Sequence, residues 1–538
     1  MNTKISNKTA SKLFIDFIYS RGCRHACIAP GSRNLPITEA LLDSPIKCYS
    51  YIDERSMCYF ANGISKVTNK PIAVVTTSGT ATANLLPGII EAKMSGTPLF
   101  IITADRPKRL ISSGATQTID QINLFGKYVN DMVDIEHSKE PIDKILKKLS
   151  NCINNSSSKS PGPIHINLRF DEPLYDNYKK IDFSFPEKTP INNNKENRLI
   201  LENFKRPLII CGGINPKTEI KQILYLSKKM NAPIFVDIFS QMRHCLKNNV
   251  FLYYHQYLNS LNPDLILRFG YKPTSKSLND FIIRHHKKTI LINEHQIQND
   301  DCPNKMTSSF NELKKCITVE TKGEKEWMKT IIDLESYHSN SIKKHTAKNT
   351  QAALISQIFN KLNGQIFIGN STLIRTFDEF SGNSSNPMKI FGNYITRGID
   401  GIVSTALGMA STNNKKNNFL FIGDVSLMYD INGFQILKNE NINLTIIVIN
   451  NKGGQIFNQL PYSNKKIKDF KKFWITEPKT RIKDVAKLFN IKYYKLNIDE
   501  ILRDINKIAN YTGVKIIEIK INHETELKTL NKIKEFQL

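Results

Sequence analysis

The sequence predicts an α/β protein of three domains, each built on a parallel sheet flanked by helices. Its 538 residues exceed a single hydrophobic core, and a prior of roughly 150 residues per domain gives three or four units. Short apolar runs of strand length alternate with helical patterns, the order of elements that is typical of parallel sheets. Two polar stretches, residues 184–198 and 321–348, interrupt the alternation and separate the predicted domains.

The first predicted domain covers residues 1–183. Its strand-like runs are ACIAPG, PIAVVTT and PLFIITA, and helices are predicted after Asp53 and from Thr80. The segment that follows, residues 184–198, contains two prolines and three consecutive asparagines. Such a polar, Pro-containing stretch indicates an interdomain connection.

The second predicted domain covers residues 199–335, with the runs PLIICGG, APIFVDI, DLILRFG and KTILINE. Gly212 and Gly213 are a weak nucleotide signal, and without the full G-x-G-x-x-G spacing a turn that binds no ligand is favoured over a dinucleotide site. The third domain, residues 350–538, contains QIFIGN, NFLFIGD, LTIIVIN and VKIIEIK. These runs complete the prediction of an α/β fold throughout.

Composition excludes several classes of protein. With 40% hydrophobic and 23% charged residues the chain is an ordinary folded protein, and no apolar run is long enough for a signal peptide or a membrane span. The net charge of +26 is spread along the chain without a recognition motif, so neither nucleic acid nor membrane is expected as a partner. Nine cysteines are scattered along the chain, and we expect most of them to be buried, reduced thiols. We therefore expect a soluble cytoplasmic protein, in the plastid stroma if the chain is organelle-encoded or targeted.

The most specific local motif joins two strand ends. Gly423 and Asp424 end the run NFLFIGD, and Asn450 and Asn451 follow 26 and 27 residues after that Asp. Ligands of α/β sheets bind at the carboxyl ends of parallel strands, and an Asp, an Asn amide and the carbonyl of Gly453 are oxygen ligands suited to Mg²⁺. Taken alone, turn or cap roles for these residues are about equally expected.

A second motif lies in the first domain, where Asp53 and Glu54 follow a predicted strand and open a helix. A lone glutamate there is usually an acid stabilised by the helix dipole. Together the two motifs resemble those of thiamine-diphosphate enzymes. The resemblance implies that Glu54 hydrogen-bonds N1′ of the cofactor and that Asp424, Asn451 and Gly453 bind Mg²⁺ or Mn²⁺ beside Gly423. It also implies that Ile399 supports the bent cofactor.

Several blocks narrow the resemblance to one family. They are APGSRN, YIDERS, TTSGTATANLLPGIIEA, ITADRP, GPIHINLRFDEPLY, GNS followed by Arg375, and INNKGGQIFNQLP, in order over residues 29–461. The set is similar to the menaquinone- and phylloquinone-pathway synthases that decarboxylate 2-oxoglutarate and join the remaining fragment to isochorismate by a 1,4-addition. The resemblance implies a transferase that acts as a homodimer or homotetramer, with active sites between subunits.

Both implied substrates are dicarboxylates and therefore need cationic partners. The resemblance assigns one set of residues to isochorismate: Ser32, Arg33, Arg106, Gln117 and Lys276. A second set is assigned to the succinyl carboxylate, with apolar walls beside it: Ser371, Arg375, Phe457 and Leu460. For any single arginine, a surface charge is the ordinary alternative.

Three positions depart from the family pattern. Tyr394 stands where the family usually has an arginine, Ser277 replaces a second cation found in some members, and Thr116 replaces an asparagine. Arg397, three residues after Tyr394, is a candidate to replace the missing charge. An Arg397→Ala variant with unchanged apparent affinity for 2-oxoglutarate would contradict that hypothesis.

Two other functions stay open on the sequence. A related decarboxylase or acetohydroxyacid synthase would consume pyruvate faster than 2-oxoglutarate. A non-catalytic scaffold would bind thiamine diphosphate without releasing CO₂, although the presence of Glu54, Asp424 and Asn451 argues against it.

Overall fold

A computed structural model describes most of the chain. It covers residues 5–179, 185, 198–218, 220–244, 249–296, 300–413, 415, 417–460, 462 and 467–537. The predicted interdomain connection at 184–198 lies outside the described residues except for positions 185 and 198. The three predicted domain boundaries therefore stay a prediction.

Helices and strands alternate along the described residues. The helices are α1 Asn7–Ser20, α2 Leu35–Leu42, α3 Glu54–Thr68, α4 Thr80–Ala83, α5 Leu86–Met94, α6 Ile142–Lys159, α7 Lys221–Met230, α8 Lys276–Arg284, α9 Leu313–Cys316, α10 Lys325–His345, α11 Gln351–Ile358, α12 Thr372–Phe380, α13 Ile402–Ser411, α14 Asp424–Tyr429, α15 Ile482–Leu488, α16 Ile498–Ala509 and α17 His523–Lys534. The strands are β1 His25–Ile28, β2 Lys47–Ser50, β3 Ile72–Thr76, β4 Leu99–Asp105, β5 Met132–Ile135, β6 Pro163–Arg169, β7 Leu199–Leu201, β8 Pro207–Cys211, β9 Ile234–Val236, β10 Val250–Phe251, β11 Leu265–Phe269, β12 Thr289–Asn293, β13 Asn304–Thr307, β14 Ile317–Val319, β15 Gly364–Ile368, β16 Met388–Phe391, β17 Asn418–Gly423, β18 Leu444–Asn450, β19 Lys492–Leu496 and β20 Val514–Lys520.

The chain divides into two compact units. Unit 1 comprises Met1–Asn192, Asp400–Asn414 and Asp430–Ile442, and unit 2 comprises Asn193–Ile399, Lys415–Tyr429 and Asn443–Leu538. Unit 1 holds one six-stranded sheet and unit 2 holds two, together with a small pair of strands. Each six-stranded sheet is parallel, as the alternating sequence pattern predicts.

The sheet of unit 1 has the strand order β2-β1-β3-β4-β6-β5. Its inner strands β3, β4 and β6 are buried along their full length, because helices cover both faces. The chain leaves β1 for the edge strand β2 and returns to β3 on the other side of β1. That reversal opens a crevice beyond the carboxyl ends of β1 and β3, the usual ligand position in open α/β sheets.

The two larger sheets of unit 2 repeat this reversal. Their orders are β10-β9-β8-β11-β12-β13 and β16-β15-β17-β18-β20-β19, and β7 pairs with β14 separately. In the last sheet the reversal falls between β15, which Asn370 follows by two residues, and β17, which ends at Gly423. The topology therefore places the predicted Gly-Asp motif at a crevice.

Helices α3 and α13 of unit 1 pack against each other with their backbones in close contact. A Cβ on Gly63 would lie 2.0 Å from the carbonyl oxygen of Thr405, and one on Gly408 would lie 2.0 Å from that of Phe60. Only glycine permits so close an approach of the two backbones. The helix that begins with Glu54 is thus held tightly at its middle.

Two composition-based expectations can be compared with the structure. No helix of the described chain has both the length and the apolarity to cross a membrane. Eight cysteines among the described residues are free thiols, and six of them are buried. The prediction that most cysteines are buried, reduced thiols agrees with these six positions, whereas Cys48 and Cys316 are partly exposed.

Candidate active site

Asp424 lies at the junction of β17 and α14 in unit 2. Its side chain is 4% exposed; one carboxylate oxygen accepts the N–H of Gly453 at 2.8 Å and the other accepts the N–H of Val425 at 3.0 Å. Burial, with a smaller contribution from the charge of Glu477, raises the pKa of Asp424 to about 6. A bound cation would relieve this unfavourable burial of charge.

The turn after β18 has a backbone that few residues can adopt. Lys452 and Gly453 have φ of +64° and +109°, and a Cβ on Gly453 would lie 2.3 Å from the carbonyl oxygen of Ile475. Asn450 accepts the N–H of Lys452 at 3.2 Å, and its amide donates to Glu518 at 2.7 Å. Glu518 therefore fixes the first asparagine of the predicted motif, a role that the sequence did not reveal.

A cleft of about 170 Å³ lies between these two strand ends, wholly within unit 2. Seven of the residues predicted for the site line it: Ser371, Ile399, Gly423, Asp424, Asn451, Gly453 and Phe457. Other lining residues were not predicted, among them Gln351, Asn370, Gln455, Trp474 and Thr476. Leu460 follows the helical turn Gln455–Gln459 and is half-buried, but it is not part of the lining.

The lining is suited to a diphosphate and a divalent cation. Open space lies where a Cβ of Gly423 would be, and the amide of Asn451 makes no hydrogen bond to another described residue. The predicted ligand set has one carboxylate, one amide and one backbone carbonyl, all of them hard oxygen donors. Among the described residues there is no group of three or more His, Cys, Asp or Glu side chains that could hold a metal. The oxygen set around Asp424 is thus the candidate metal site.

Ser371 lines the cleft and precedes α12, and Arg375 lies in the first turn of that helix. Ser371 has φ of +70°, and its carbonyl accepts a hydrogen bond from the guanidinium of Arg375. Burial and the neighbouring charge of Arg397 lower the pKa of Arg375. Arg397 itself donates to the carbonyls of Tyr394 and Thr274 at 3.4 and 3.3 Å. Arg397 is therefore near enough to Arg375 for their charges to interact, as the hypothesis of a replacement cation requires.

Tyr394 fills space between two loops of unit 2. Its ring stacks on Phe239 with centroids 4.0 Å apart, and a Cβ on Gly213 would lie 2.1 Å from its hydroxyl. A Cβ on Gly212 would lie 1.8 Å from the carbonyl oxygen of Tyr271. Close packing thus accounts for both glycines, in agreement with the favoured interpretation of a turn without a ligand.

Glu54 is the first residue of α3, as predicted. Asp53 caps this helix by accepting the N–H groups of Arg55 and Ser56 at 3.0 and 3.2 Å. The Glu54 carboxylate is half-buried and accepts a 3.3 Å hydrogen bond from Asn84. Because Asp53 already serves as the cap, the carboxylate of Glu54 is not needed for that role.

Arg33 and Arg106 lie near each other in unit 1. Burial and the charge of Arg33 lower the pKa of Arg106, whose guanidinium donates to Ser78 at 2.5 Å and to the carbonyl of Gln117 at 2.9 Å. Arg33 pairs with Glu172 at 3.0 Å, but Glu172 is 65% exposed. A buried substrate carboxylate could replace such a solvated partner.

A buried polar network holds the backbone of Arg106 in place. Its N–H donates to Asp105 at 2.8 Å, and its carbonyl accepts from Arg169 at 2.8 Å. Arg169 is 2% exposed and also pairs with Asp105 and Asp134 at 3.0 and 2.8 Å. This network, which the sequence did not reveal, leaves the Arg106 backbone little freedom.

The remaining predicted positions are exposed. Ser32 and Gln117 lie in loops of unit 1, and Gln117 has φ of +58°. Lys276 is the first residue of α8 in unit 2, with Ser277 beside it. Thr116 lies next to Gln117 and is also exposed. Lys276 therefore lies in unit 2, whereas the other four residues predicted to contact isochorismate lie in unit 1.

Three family models match the sequence in order. Their descriptions are "Thiamine pyrophosphate enzyme, N-terminal TPP binding domain" over residues 8–124, "Middle domain of thiamine pyrophosphate" over 187–368, and "Thiamine pyrophosphate enzyme, C-terminal TPP binding domain" over 382–519. The N-terminal match includes Glu54, and the C-terminal match includes Asp424, Asn451 and Gly453.

Relatives match over almost the whole chain. The 2-succinyl-5-enolpyruvyl-6-hydroxy-3-cyclohexene-1-carboxylate synthase of Staphylococcus haemolyticus is 33% identical over 536 residues, covering 96% of this chain and 93% of the relative. The synthase of the same name from Oceanobacillus iheyensis is 29% identical, covering 96% and 95%. That from Staphylococcus aureus is 32% identical, covering 96% and 94%.

Proposed function

Because the chain belongs to the 2-succinyl-5-enolpyruvyl-6-hydroxy-3-cyclohexene-1-carboxylate synthase family of thiamine-diphosphate enzymes, we propose how its own residues carry out that reaction. The predicted fold class, cofactor and synthase function are confirmed by this membership. The enzyme decarboxylates 2-oxoglutarate and adds the remaining four-carbon fragment to isochorismate. The assignment of individual residues is the proposal.

The Asp424 cleft is proposed to hold the metal and the diphosphate. Asp424, Asn451 and the carbonyl of Gly453 would bind Mg²⁺ or Mn²⁺, leaving positions for diphosphate oxygens and water. The support is the buried carboxylate with its raised pKa, the open space at Gly423 and the glycine-only turn. When bound, thiamine diphosphate supplies the electron sink that stabilises the charge left after CO₂ is lost. Ile399, in the cleft wall, would support the cofactor ring.

Glu54 is proposed to hold the proton at N1′ of the aminopyrimidine. It lies at the start of a helix whose cap is already supplied by Asp53, and it belongs to unit 1, whereas Asp424 belongs to unit 2. As in the family the chain resembles, a homodimer or homotetramer would bring Glu54 of one subunit to the metal site of another. A cytoplasmic location is part of the same proposal.

The substrate proposal rests on two arginines at predicted positions, Arg106 and Arg375, each of which has its pKa lowered by burial and by the charge of a second arginine. In unit 1 the charge of Arg33 acts on Arg106, and in unit 2 the charge of Arg397 acts on Arg375. Two neighbouring cations repel each other, and a dicarboxylate substrate relieves that repulsion. We assign the first pair, with Ser32, Gln117 and Lys276, to isochorismate. We assign Arg375 and Ser371 to 2-oxoglutarate.

Chemistry at the cleft also depends on the exclusion of water. A protonated fragment would leave as an aldehyde instead of joining isochorismate. Phe457 lines the cleft, and Leu460 lies three residues after Phe457 in the sequence. We propose that both are apolar walls of the substrate site. The proposed part of the protein is therefore to position two anions and shield the carbon that joins them.

A pair of variants tests the assignment. Arg375→Met should raise the KM for 2-oxoglutarate by about 10-fold to 100-fold and leave that for isochorismate unchanged, since a charged hydrogen bond contributes roughly 1.5–3 kcal/mol. Arg33→Met should show the reverse pattern. Arg481→Met, which removes an exposed arginine paired with Asp484, is the matched control. Equal effects of both variants on both substrates would contradict the proposal.

A further inference from the structure

His255 lies in a buried polar cluster of unit 2 that the proposed reaction does not use. It belongs to the short helical turn Tyr254–Gln256, and its side chain is 4% exposed. Nε2 lies 3.3 Å from a carboxylate oxygen of Asp378, and Nδ1 lies 3.0 Å from the hydroxyl of Ser275. The imidazole thus contacts one residue on α12 and one at the start of α8.

Both contacts lie close to proposed substrate residues. Asp378 follows Arg375 by three positions on α12, so the two side chains project from neighbouring positions on that helix. Ser275 is the N-cap of α8, accepting the N–H of Leu278 at 3.1 Å, and Lys276 is the next residue. His255 therefore touches the supports of both the 2-oxoglutarate and the isochorismate residues.

Asp378 is anchored independently of His255. Its other carboxylate oxygen accepts the N–H of Ile238 at 2.8 Å and the guanidinium of Arg243 at 3.0 Å. Arg243 is fully buried and also donates to the carbonyl of Asp378 at 2.7 Å. Asp378 is therefore held in place, and among the described side chains that contact its carboxylate, His255 is the one that also contacts Ser275 at the start of α8.

We propose that His255 is a positioning residue that couples the two substrate sites by fixing the start of α8 to α12. The inference rests on the proposed function for the roles of Arg375 and Lys276. A protonated imidazole carries an N–H on both ring nitrogens, so that one faces Ser275 and the positive ring forms an ion pair with the Asp378 carboxylate 3.3 Å from Nε2. A neutral imidazole has a single N–H, so the ion pair is lost.

The charged groups around His255 set the pH range of this coupling. Burial lowers the pKa of His255, but the Asp378 carboxylate 3.3 Å away and the charge of Glu379 outweigh burial and raise the pKa above its usual value. Arg243 acts in the opposite direction, and Asp237 lies close enough to Asp378 for their charges to interact. The ion pair is therefore complete below the ordinary histidine pKa and is lost as the pH rises through the raised value.

Steady-state kinetics of the full-length holoenzyme test the coupling. In the wild type, KM for both substrates should rise in parallel on the alkaline side, whereas kcat changes little. His255→Gln should raise both KM values by about tenfold at neutral pH, keep kcat within about twofold and abolish the alkaline rise. His285→Gln, at the far end of α8, should behave as the wild type. Wild-type KM values that do not change with pH, or a folded His255→Gln variant with wild-type KM values, would overturn the proposal.

Amide hydrogen exchange separates this inference from the proposed function. It is measured on the protein without substrates, so it does not require turnover. Exchange in α12 and at Leu278 should be faster in His255→Gln than in His285→Gln. Unchanged exchange at both segments would overturn the coupling even if the wild type is active. An inactive wild type that shows the expected exchange would count against the proposed function alone.

Discussion

The burial of Asp424 leads to a quantitative prediction for cofactor binding. A metal and a proton compete for the same carboxylate, and the pKa of Asp424 is raised to about 6. Above that pH the site is ionised and the Mg²⁺–thiamine diphosphate affinity should be constant. Below it, affinity should fall by about tenfold for each pH unit, so that binding at pH 5 is roughly tenfold weaker than at pH 8.

Two variants separate this effect from the titration of the cofactor itself. Asp424→Asn should weaken binding by more than the roughly 10–100-fold loss typical of residues that only support a metal ligand. Its pH profile should lack the break that is due to Asp424. Glu477→Gln removes a negative charge that raises the pKa of Asp424, so the break should move to lower pH. The cofactor titrates identically in all three proteins.

The assay is a titration of the apoprotein with thiamine diphosphate at saturating Mg²⁺, followed by intrinsic fluorescence between pH 5 and 8. Subtracting the Asp424→Asn profile from the wild-type profile isolates the contribution of the carboxylate. A difference that does not vary with pH, or an unshifted break in Glu477→Gln, would refute the reasoning.

Two further predictions concern unit 1. Gly408→Ala should destabilise the protein by about 1–3 kcal/mol and lower the melting temperature measured by calorimetry, because its Cβ would lie 2.0 Å from the carbonyl oxygen of Phe60. A wild-type melting temperature would show that the α3–α13 crossing is not tight. Glu54→Gln should slow exchange of the C2 proton of bound thiamine diphosphate by about 10²–10⁴-fold, followed by quenched-flow NMR, without changing the melting temperature. Wild-type exchange would remove Glu54 from its proposed role.

The inner strands of the three sheets were predictable because burial on both faces produces continuous apolar runs. The runs IAVVT and LTIIVIN, for example, became β3 and β18. Edge strands were harder to predict. In β13 only Met306 is buried, and β19 has no fully buried residue, so neither carries a hydrophobic pattern. Their positions depend on pairing with a neighbouring strand, which the local sequence does not encode.

The assignment of Asp400–Asn414 and Asp430–Ile442 to unit 1 was not predictable either. The association of these segments with unit 1 depends on Gly63 and Gly408, which permit α3 and α13 to touch. In the sequence, an isolated glycine within a helical pattern has many explanations, so this contact could not be predicted. Asp430 accepts the N–H of Ser404 at 2.7 Å and strengthens the same association.

Much of the candidate site could be predicted because its residues follow strands. Asp424 and Asn451 lie at carboxyl ends of neighbouring strands, and their spacing was visible in the sequence. The residues that hold these site residues in place could not be predicted. From the sequence, Glu518 is an ordinary strand residue and Arg169 a surface charge. In the structure Glu518 accepts a hydrogen bond from Asn450, and Arg169 donates one to the carbonyl of Arg106. Supporting contacts between distant segments require the tertiary structure.

One measurement tests the central claim most directly. The folded protein is incubated with thiamine diphosphate, Mg²⁺, 2-oxoglutarate and isochorismate, and isochorismate absorbance is followed together with released CO₂. Family membership and the site predict that isochorismate is lost in equal proportion to CO₂, and that pyruvate does not replace 2-oxoglutarate. Cofactor binding without loss of isochorismate, or faster consumption of pyruvate, would contradict the claim.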